Sequence, residues 1–461
     1  MTTFSAVVTT GIYCRPGCGA KPLAENVKTF ELAAEAEAAG FRACLRCRPY
    51  RVAGPVGADA PELVCRAVQL IIAGALDTGT EAELGRRLAV SPRHLRRLFH
   101  DHLGVTPDQL ARSRRAHFAR RLLDDSDLTV ADVAFAAGFG SLRQFNRDMK
   151  LVFRASPLEL RNRRRRTDRL AADGGLMMRL PFAAPLHWEA LSAFLADRAV
   201  PGVESVLDGV YRRTISLDGE AGVIEVSRGG EDHLLLTAHM PFWEGLIHIV
   251  DRVGRMVGVD ADTAPAEAAF AGDPILGPLL RKRPGLRVPG AWGFFEVAVE
   301  AVLSQYGVRA RVRRQLAALV EVAGRPVPGL EHGLTHLFPS AETLAQADLE
   351  AARLPAATAR TLHAFASAVA ADETLLDPGA SLADCTAALT ALPGIEQSTA
   401  QEIALRLGHA DAFPAGERTV EAMLLEHDVF ADAGRSAAAW HPWRAFAATH
   451  LIAAGVPTPA A

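Results

Sequence analysis

TTGIYCRPGC at residues 9–18 and AAGFRACLRCRP at residues 38–49 carry four of the chain's six cysteines, and their spacing decides the character of the front of the molecule. Three residues separate Cys14 from Cys18, two separate Cys44 from Cys47, and 25 lie between the pairs. Two close pairs on separate turns form the arrangement that one tetrahedral zinc ion joins. Six cysteines in 461 residues are too few for a disulfide scaffold, so the cluster points to a metal site in a reducing compartment. Cys65 and Cys385 sit in apolar helical patterns and read as buried, inert thiols. Short β-branched runs and one Ala/Glu-rich helix, FELAAEAEAAGF, closed by Gly40, predict a small α+β unit over residues 1–52. A structural staple and a reactive thiolate cluster share this cysteine spacing, so the chemistry needs a further signal.

Beyond that unit, apolar residues recur at helical spacing over 61–160, interrupted at Ser91-Pro92, Gly104, Gly138 and Gly140. TEAELGRRLAVSPRHLRRLFHDHLGVTP (80–107) reads as a helix, a tight turn and a second helix bearing Arg93, His94, Arg96 and Arg97. LTVADVAFAAGFGSLRQFNRDMKLVF (128–153) repeats the plan, with Ser141, Arg143, Gln144, Asn146 and Arg147 on its second helix. A basic helix after a tight turn suits a major groove, and Arg, Gln and Asn are the side chains that read base edges. Taken singly, each segment also fits an amphipathic surface helix; as a pair they argue for DNA. Charge agrees: residues 1–170 hold 28 Lys+Arg against 18 Asp+Glu, net +10, so the remainder carries net −13 of the total −3. The front is the better polyanion binder.

The basic run LRNRRRRTDRLAADGG (160–175) marks a linker over 161–178. Alternating stretches such as GVIEVS and HLLLTAHM, with a helix near 242–257, predict an α+β subdomain over 179–270, followed by an all-helical domain over 271–461. No run of 18 apolar residues occurs, and the first ten residues lack a secretory pattern, so a cytoplasmic, nucleoid-associated protein with no membrane partner is expected. The fold class is multidomain α+β.

Three resemblances attach to these segments. TTGIYCRPGC, ENVKTF and AAGFRACLRCRP resemble the N-terminal domain of Ada-type methylphosphotriester repair proteins. That likeness implies Cys14 as methyl acceptor and Cys18, Cys44 and Cys47 as its zinc co-ligands. Zinc keeps thiols ionised, and a four-thiolate site carries surplus negative charge that repels ordinary phosphate but not a neutral methylated phosphotriester. VAFAAGFGSLRQFNR and GVTPDQLARSRRAHFARRLL resemble the AraC-type double helix-turn-helix domain, which implies operator binding.

RLPFAAPLHWEALSAFLADRAVPGVESV, FFEVAVEAVLSQY, TALPGIEQSTAQEIALRLG, DAFPAGE and WHPWRAFAATHLI resemble the 3-methyladenine DNA glycosylase II (AlkA) type of the helix-hairpin-helix superfamily. Such enzymes flip a damaged base out of the stack and use a carboxylate in cleaving its bond to the sugar. The departures are specific. The hairpin, LPGIG in that family, reads Leu392-Pro393-Gly394-Ile395-Glu396. A left-handed backbone at 396 would cost about 1–2 kcal/mol, and a carboxylate about 4 Å from phosphate adds up to about 4 kcal/mol at an effective dielectric near 20. Pocket positions fall on Ser398 and Glu402, the wedge region on Gln305 and Tyr306, and a pocket aromatic on Trp440. The catalytic Asp aligns with Glu417, longer by one methylene, and a displacement of about 1 Å can cost about 100-fold in rate. Ser398 stands where strand-cleaving relatives place lysine, so any excision is expected to be monofunctional.

Together the resemblances imply a DNA-alkylation repair and response protein. It would take methyl groups onto Cys14, regulate transcription, and excise alkylated bases. Double-stranded DNA, both alkylated and as an operator, is the expected partner, with RNA polymerase as a further one. A methylation-sensing regulator whose glycosylase-like domain is inactive, or altered in substrate, stays open on the residues alone.

Overall fold

The computed structural model describes residues 3–15, 18, 22–44, 47, 49, 61–164, 169–170, 174–305, 307–377, 379–426 and 437–455. It forms two compact units. One comprises residues 1–183, 232–254 and 259–262; the other comprises 184–231, 255–258 and 263–461.

In the first unit a four-stranded sheet, β1 (Phe4–Val7), β2 (Ile12–Cys14), β3 (Val27–Phe30) and β4 (Arg42–Ala43), runs in the order β3-β1-β2-β4. β1 pairs antiparallel with β2 and β3, whereas β4 lies parallel to β2, with Tyr13 opposite Ala43. The parallel pairing is what carries Cys44 to Cys14, and it is sealed by the Cys44 N–H donating to the Tyr13 carbonyl at 2.9 Å. Helix α1 (Ala33–Ala38) covers the sheet, burying Ala34 and Ala36.

Seven helices follow in the same unit: α2 (Glu62–Ile72), α3 (Glu81–Arg87), α4 (Pro92–Leu103), α5 (Pro107–Asp125), α6 (Val130–Ala136), α7 (Leu142–Phe153) and α8 (Pro157–Asn162). Their starts are written in the sequence. Thr80, Ser91, Thr106, Thr129, Ser141 and Ser156 each accept a backbone N–H from the first turn of α3 to α8 respectively. Such caps each contribute about 1 kcal/mol. α4 stops at Gly104, whose left-handed φ of 65° ends the helix where a side chain would be strained. One face of α4 (Leu95, Phe99, Leu103) and one of α7 (Phe145, Met149, Val152, Phe153) are buried, and this leaves the opposite faces to solvent.

Downstream, β5 (Leu176–Pro181) belongs to the first unit, while α9 (Trp188–Arg198) and the antiparallel meander β6 (Glu204–Leu207), β7 (Val210–Leu217), β8 (Glu220–Arg228) belong to the second. β9 (His233–His239), antiparallel to β5, and most of α10 (Leu246–Val257) return to the first. The stretch read from sequence as an α+β subdomain over 179–270 holds strands and helices, and its residues are divided between the two units. The remainder of the linker expectation, residues 165–168 and 171–173, lies outside the described residues.

The second unit continues with α11 (Ala264–Phe270), α12 (Leu276–Lys282), α13 (Phe294–Ser304), α14 (Arg309–Ala323), β10 (Arg325–Pro326), β11 (His336–Leu337), α15 (Ala341–Gln346), α16 (Ala356–Ala371), α17 (Leu382–Thr390), α18 (Gln397–Leu407), α19 (Arg418–Glu426) and α20 (Arg444–Gly455). The β10/β11 pair interrupts a stretch read from sequence as wholly helical. Prolines at 326 and 328 and left-handed Gly329 and Gly333 exclude helix there and fold the chain back on itself. Among the described residues no helix is long and apolar enough to cross a membrane.

Candidate functional site

The four cysteines converge. One sulfur from each of Cys14, Cys18, Cys44 and Cys47 lies within 4.8 Å of every other. A tetrahedral zinc–thiolate centre has sulfur–sulfur edges of ~3.8 Å, from Zn–S bonds of ~2.3 Å, so the cluster fits the ion closely. Its electrostatics fit as well. Without a cation, burial and then the neighbouring Cys47 and Cys44 push the Cys14 thiol far up. Burial likewise raises Cys47 to about 12, against a lowering contact from the Arg15 backbone. Crowded thiols, of which Cys14 and Cys47 resist ionisation, are what a bound dication resolves. Cys14, on β2, is the most enclosed of the four; the others are half-buried.

Directly beside Cys14 sits a hydrogen-bonded triad that spacing did not reveal. The Tyr13 hydroxyl donates to Glu37 Oε1 at 2.7 Å, and His117 Nε2 lies 2.6 Å from the same oxygen and 3.1 Å from the hydroxyl. It joins β2 and α1 of the cysteine module to α5 of the helical region. No periodicity or motif links residues 13, 37 and 117, so the sequence offered no signal.

The two basic helices present the expected side chains. Arg93, Arg96 and Arg97 on α4, and Arg143, Asn146 and Arg147 on α7, are exposed, with His94 and Gln144 half-exposed. Several have local partners: Arg96 pairs with Glu81, Arg97 lies 3.0 Å from His94 Nδ1, and Arg147 lies 3.0 Å from Asp148. Ser141 is engaged as the α7 cap, accepting the Gln144 N–H at 3.2 Å, so its contribution is to set the helix start.

In the second unit the hairpin joins α17 to α18. Gly394 is left-handed, at φ 82°, and a Cβ there would stand 2.2 Å from the Thr361 hydroxyl. Glu396 differs from expectation: its φ is −83°, ordinary extended backbone at the start of α18, so the strain foreseen for a left-handed residue does not arise. Its exposed carboxylate remains at the hairpin. Gln305 is committed to the hairpin, donating to the Gly394 carbonyl at 2.8 Å while its Oε1 accepts from the Glu396 N–H at 3.1 Å and the Thr399 hydroxyl at 2.7 Å. Tyr306 lies outside the described residues. Trp440 is 1 % exposed, donates to Asp273 at 2.9 Å and packs on Phe413, so it is a core side chain here.

Glu417 stands at the start of α19. Its carboxylate accepts the Thr419 N–H at 2.8 Å and the Val420 N–H at 2.9 Å, a capping geometry that fixes its position. The preceding loop is tied to α18 at two points: Phe413 N–H to the Gln401 side chain at 3.0 Å, and Gly416 N–H to the Ser398 hydroxyl at 3.0 Å. Ser398 therefore positions the loop of Glu417, and Gly416 has no room for a side chain, since a Cβ there would meet Ser398 Oγ at 2.9 Å. Glu402, one helical turn beyond Ser398 on the same face of α18, is half-buried. Burial, then Glu300, and further on Glu417, push its carboxyl up to about 7, against the lowering effect of Arg198 and Arg309.

Comparison with known proteins matches three successive segments of the chain. Residues 2–50 match the family described as the metal binding domain of Ada, residues 84–163 the helix-turn-helix domain, and residues 177–293 the AlkA N-terminal domain. A probable bifunctional transcriptional activator/DNA repair enzyme AlkA of Mycobacterium tuberculosis is 38 % identical over 456 residues, which cover 97 % of this chain and 91 % of that one. The DNA-3-methyladenine glycosylase 2 of Escherichia coli is 28 % identical, covering 60 % of this chain and 96 % of that one. Among solved structures, the 3-methyladenine DNA-glycosylase of Archaeoglobus fulgidus superposes with a TM-score of 0.50 at 20 % identity. The match covers 59 % of this chain and 96 % of that one, a likeness of fold.

Proposed function

The chain belongs to the AlkA family of bifunctional transcriptional activator/DNA repair proteins, and on that premise we propose that it couples a methyl-accepting zinc centre to operator binding and to excision of alkylated bases. The observation that carries the reading is the convergence of four sulfurs in the same compact unit as two helix-turn-helix elements.

Zinc, held by Cys14, Cys18, Cys44 and Cys47, supplies ionised thiolates at neutral pH. The Cys14 sulfur attacks the methyl carbon of a phosphotriester. A sulfur–carbon bond forms, the carbon–oxygen bond breaks, and its electron pair stays on oxygen to restore an anionic diester. The cluster loses one negative charge, and its repulsion from the DNA backbone falls accordingly. The chain cannot reset the thioether, so each molecule turns over once and records the damage. α4 and α7 place their arginines, with Gln144 and Asn146, in adjacent major grooves of an operator. Transcription activation brings RNA polymerase as a further partner, in the cytoplasm and on nucleoid DNA.

In the second unit the hairpin Gly394 grips the backbone and Glu417 supports the sugar as positive charge develops on it, releasing the base without strand cleavage. The direct test is methyl transfer from labelled phosphotriester DNA to the wild-type chain and to Cys14→Ala. Label should reach only the wild type, with zinc present at about one per chain. Uptake by Cys14→Ala would show that another residue accepts the methyl.

A further inference from the structure

Tyr13 is tied to two of the four cysteines. It precedes Cys14 on β2, and its carbonyl accepts the Cys44 N–H at 2.9 Å. Successive side chains of a strand point to opposite faces, so the Tyr13 ring is turned away from the Cys14 sulfur. It is buried edge-on against Phe4, with its hydroxyl on Glu37 and His117. Those two side chains sit where the cysteine module meets both helix-turn-helix elements. On α1, Ala34 belongs to the same apolar core as Leu95, Phe99 and Leu103 of α4. Glu35 packs on Gly104, the end of α4, so closely that a Cβ there would stand 2.7 Å from the Glu35 Cγ. On α5, the His117 ring lies 5.5 Å from that of Phe153, the last residue of α7. One chain of contacts thus runs from Cys14 through Tyr13, Glu37 and His117 to the ends of both basic helices.

We propose that Tyr13, Glu37 and His117 are positioning residues that pass the methylation state of Cys14 to α4 and α7, by a route separate from the change in charge. The proposal rests on the methyl-acceptor reading of the first unit. Cys14 is 6 % exposed, so a methyl group on its sulfur has little free space and β2 shifts to admit it. Tyr13 shifts with β2. Its hydroxyl is one corner of a closed triangle of hydrogen-bonding atoms, 2.6, 2.7 and 3.1 Å on a side, in which no corner moves alone. The displacement reaches α1 and its seat against α4, and α5 with the Phe153 end of α7. Salt separates this route from the loss of negative charge at the cluster. The Debye length shrinks from about 10 Å at 0.1 M to about 3 Å at 1 M, so an electrostatic gain in DNA binding fades as salt rises. A displacement carried by buried side chains persists.

The test compares the full-length wild type with Tyr13→Phe, which loses the hydroxyl and keeps the ring, with Glu37→Leu, and with Glu37→Gln, which still offers an oxygen to that hydroxyl. Each protein, with zinc bound, is methylated on phosphotriester DNA or left unmodified. Both forms are titrated with a duplex selected from a random-sequence library by the methylated wild type, at about 0.1 to about 0.5 M salt. Methyl uptake should be retained in every variant. The affinity ratio of methylated to unmodified protein should settle at a plateau of about 10-fold in the wild type and Glu37→Gln, and fall to about 1 in Tyr13→Phe and Glu37→Leu. If Glu37→Leu fails to hold zinc, Tyr13→Phe decides. A plateau unchanged in Tyr13→Phe, absent from Glu37→Gln, or absent from the wild type overturns the proposal and leaves the methyl-acceptor reading standing. A wild type that takes up no methyl overturns both.

Discussion

Glu417 and Glu396 show how one residue's surroundings decide its role. The Glu417 carboxylate, read from sequence as standing at the family's aspartate position, is pinned by two backbone N–H groups of α19, so its arm is directed by the cap rather than left free. Glu417→Gln should cut base release by at least about 100-fold, while Glu417→Asp, which retains the charge, should keep activity within about 100-fold of wild type in either direction. A steady-state release assay reads both. At the hairpin, Glu396 has ordinary backbone, so its effect is one of charge alone. Glu396→Gln and Glu396→Gly should therefore tighten binding of the full chain to a lesion duplex equally, by about 10-fold at low salt. A clear advantage for glycine in a fluorescence titration would contradict that backbone assignment. The motif LPGIE was legible from sequence. The dihedral at 396 was not, because it depends on how Gln305 grips the hairpin from another helix.

The helical elements were the most legible part of the chain, because their signals are local. Six Ser or Thr caps, Pro at first-turn positions and Gly104 each act within one turn of the helix they bound. The recognition helices follow from them, and Arg143→Ala should cost about 1–3 kcal/mol in operator affinity and relax discrimination at one base pair. An equal loss on operator and random DNA would reduce that residue to a phosphate contact. Contacts between distant elements were beyond sequence reading. The Tyr13–Glu37–His117 triad is one, and the seat of His450 on α20 is another. Burial, then Arg283 and His187, depress the His450 ring to about 3, and neither ring nitrogen has a hydrogen-bond partner among the described residues. Because the folded ring resists the proton that the unfolded ring takes below about 6.5, stability falls as pH drops from there toward 3. His450→Phe should remove that dependence and raise stability at pH 5 by about 2 kcal/mol relative to wild type. Denaturant unfolding at pH 5 and 8 measures it, and an identical pH slope in the variant would refute it.

Charge is the clearest whole-molecule signal, and the order of residues along the chain is enough to reveal it. Net +10 over residues 1–170 and net −13 beyond them assign the polyanion affinity to the front. The division into compact units is not legible in the same way, since the contact pattern groups residues 232–254 with the front half and leaves residues 184–231, which precede them in sequence, with the rear. Hydrophobic alternation identifies strands but not the unit in which each one packs. The central claim is that a single chain both accepts methyl groups and excises bases. Incubating the full-length protein with methylated duplex DNA and following both products tests it: methyl on the peptide bearing Cys14, and free methylpurine in solution. The account predicts both, with the second abolished in Glu417→Gln. Methyl on Cys14 with no base released by wild type or Glu417→Asp would contradict it, and would leave a damage-sensing regulator on a silent glycosylase fold.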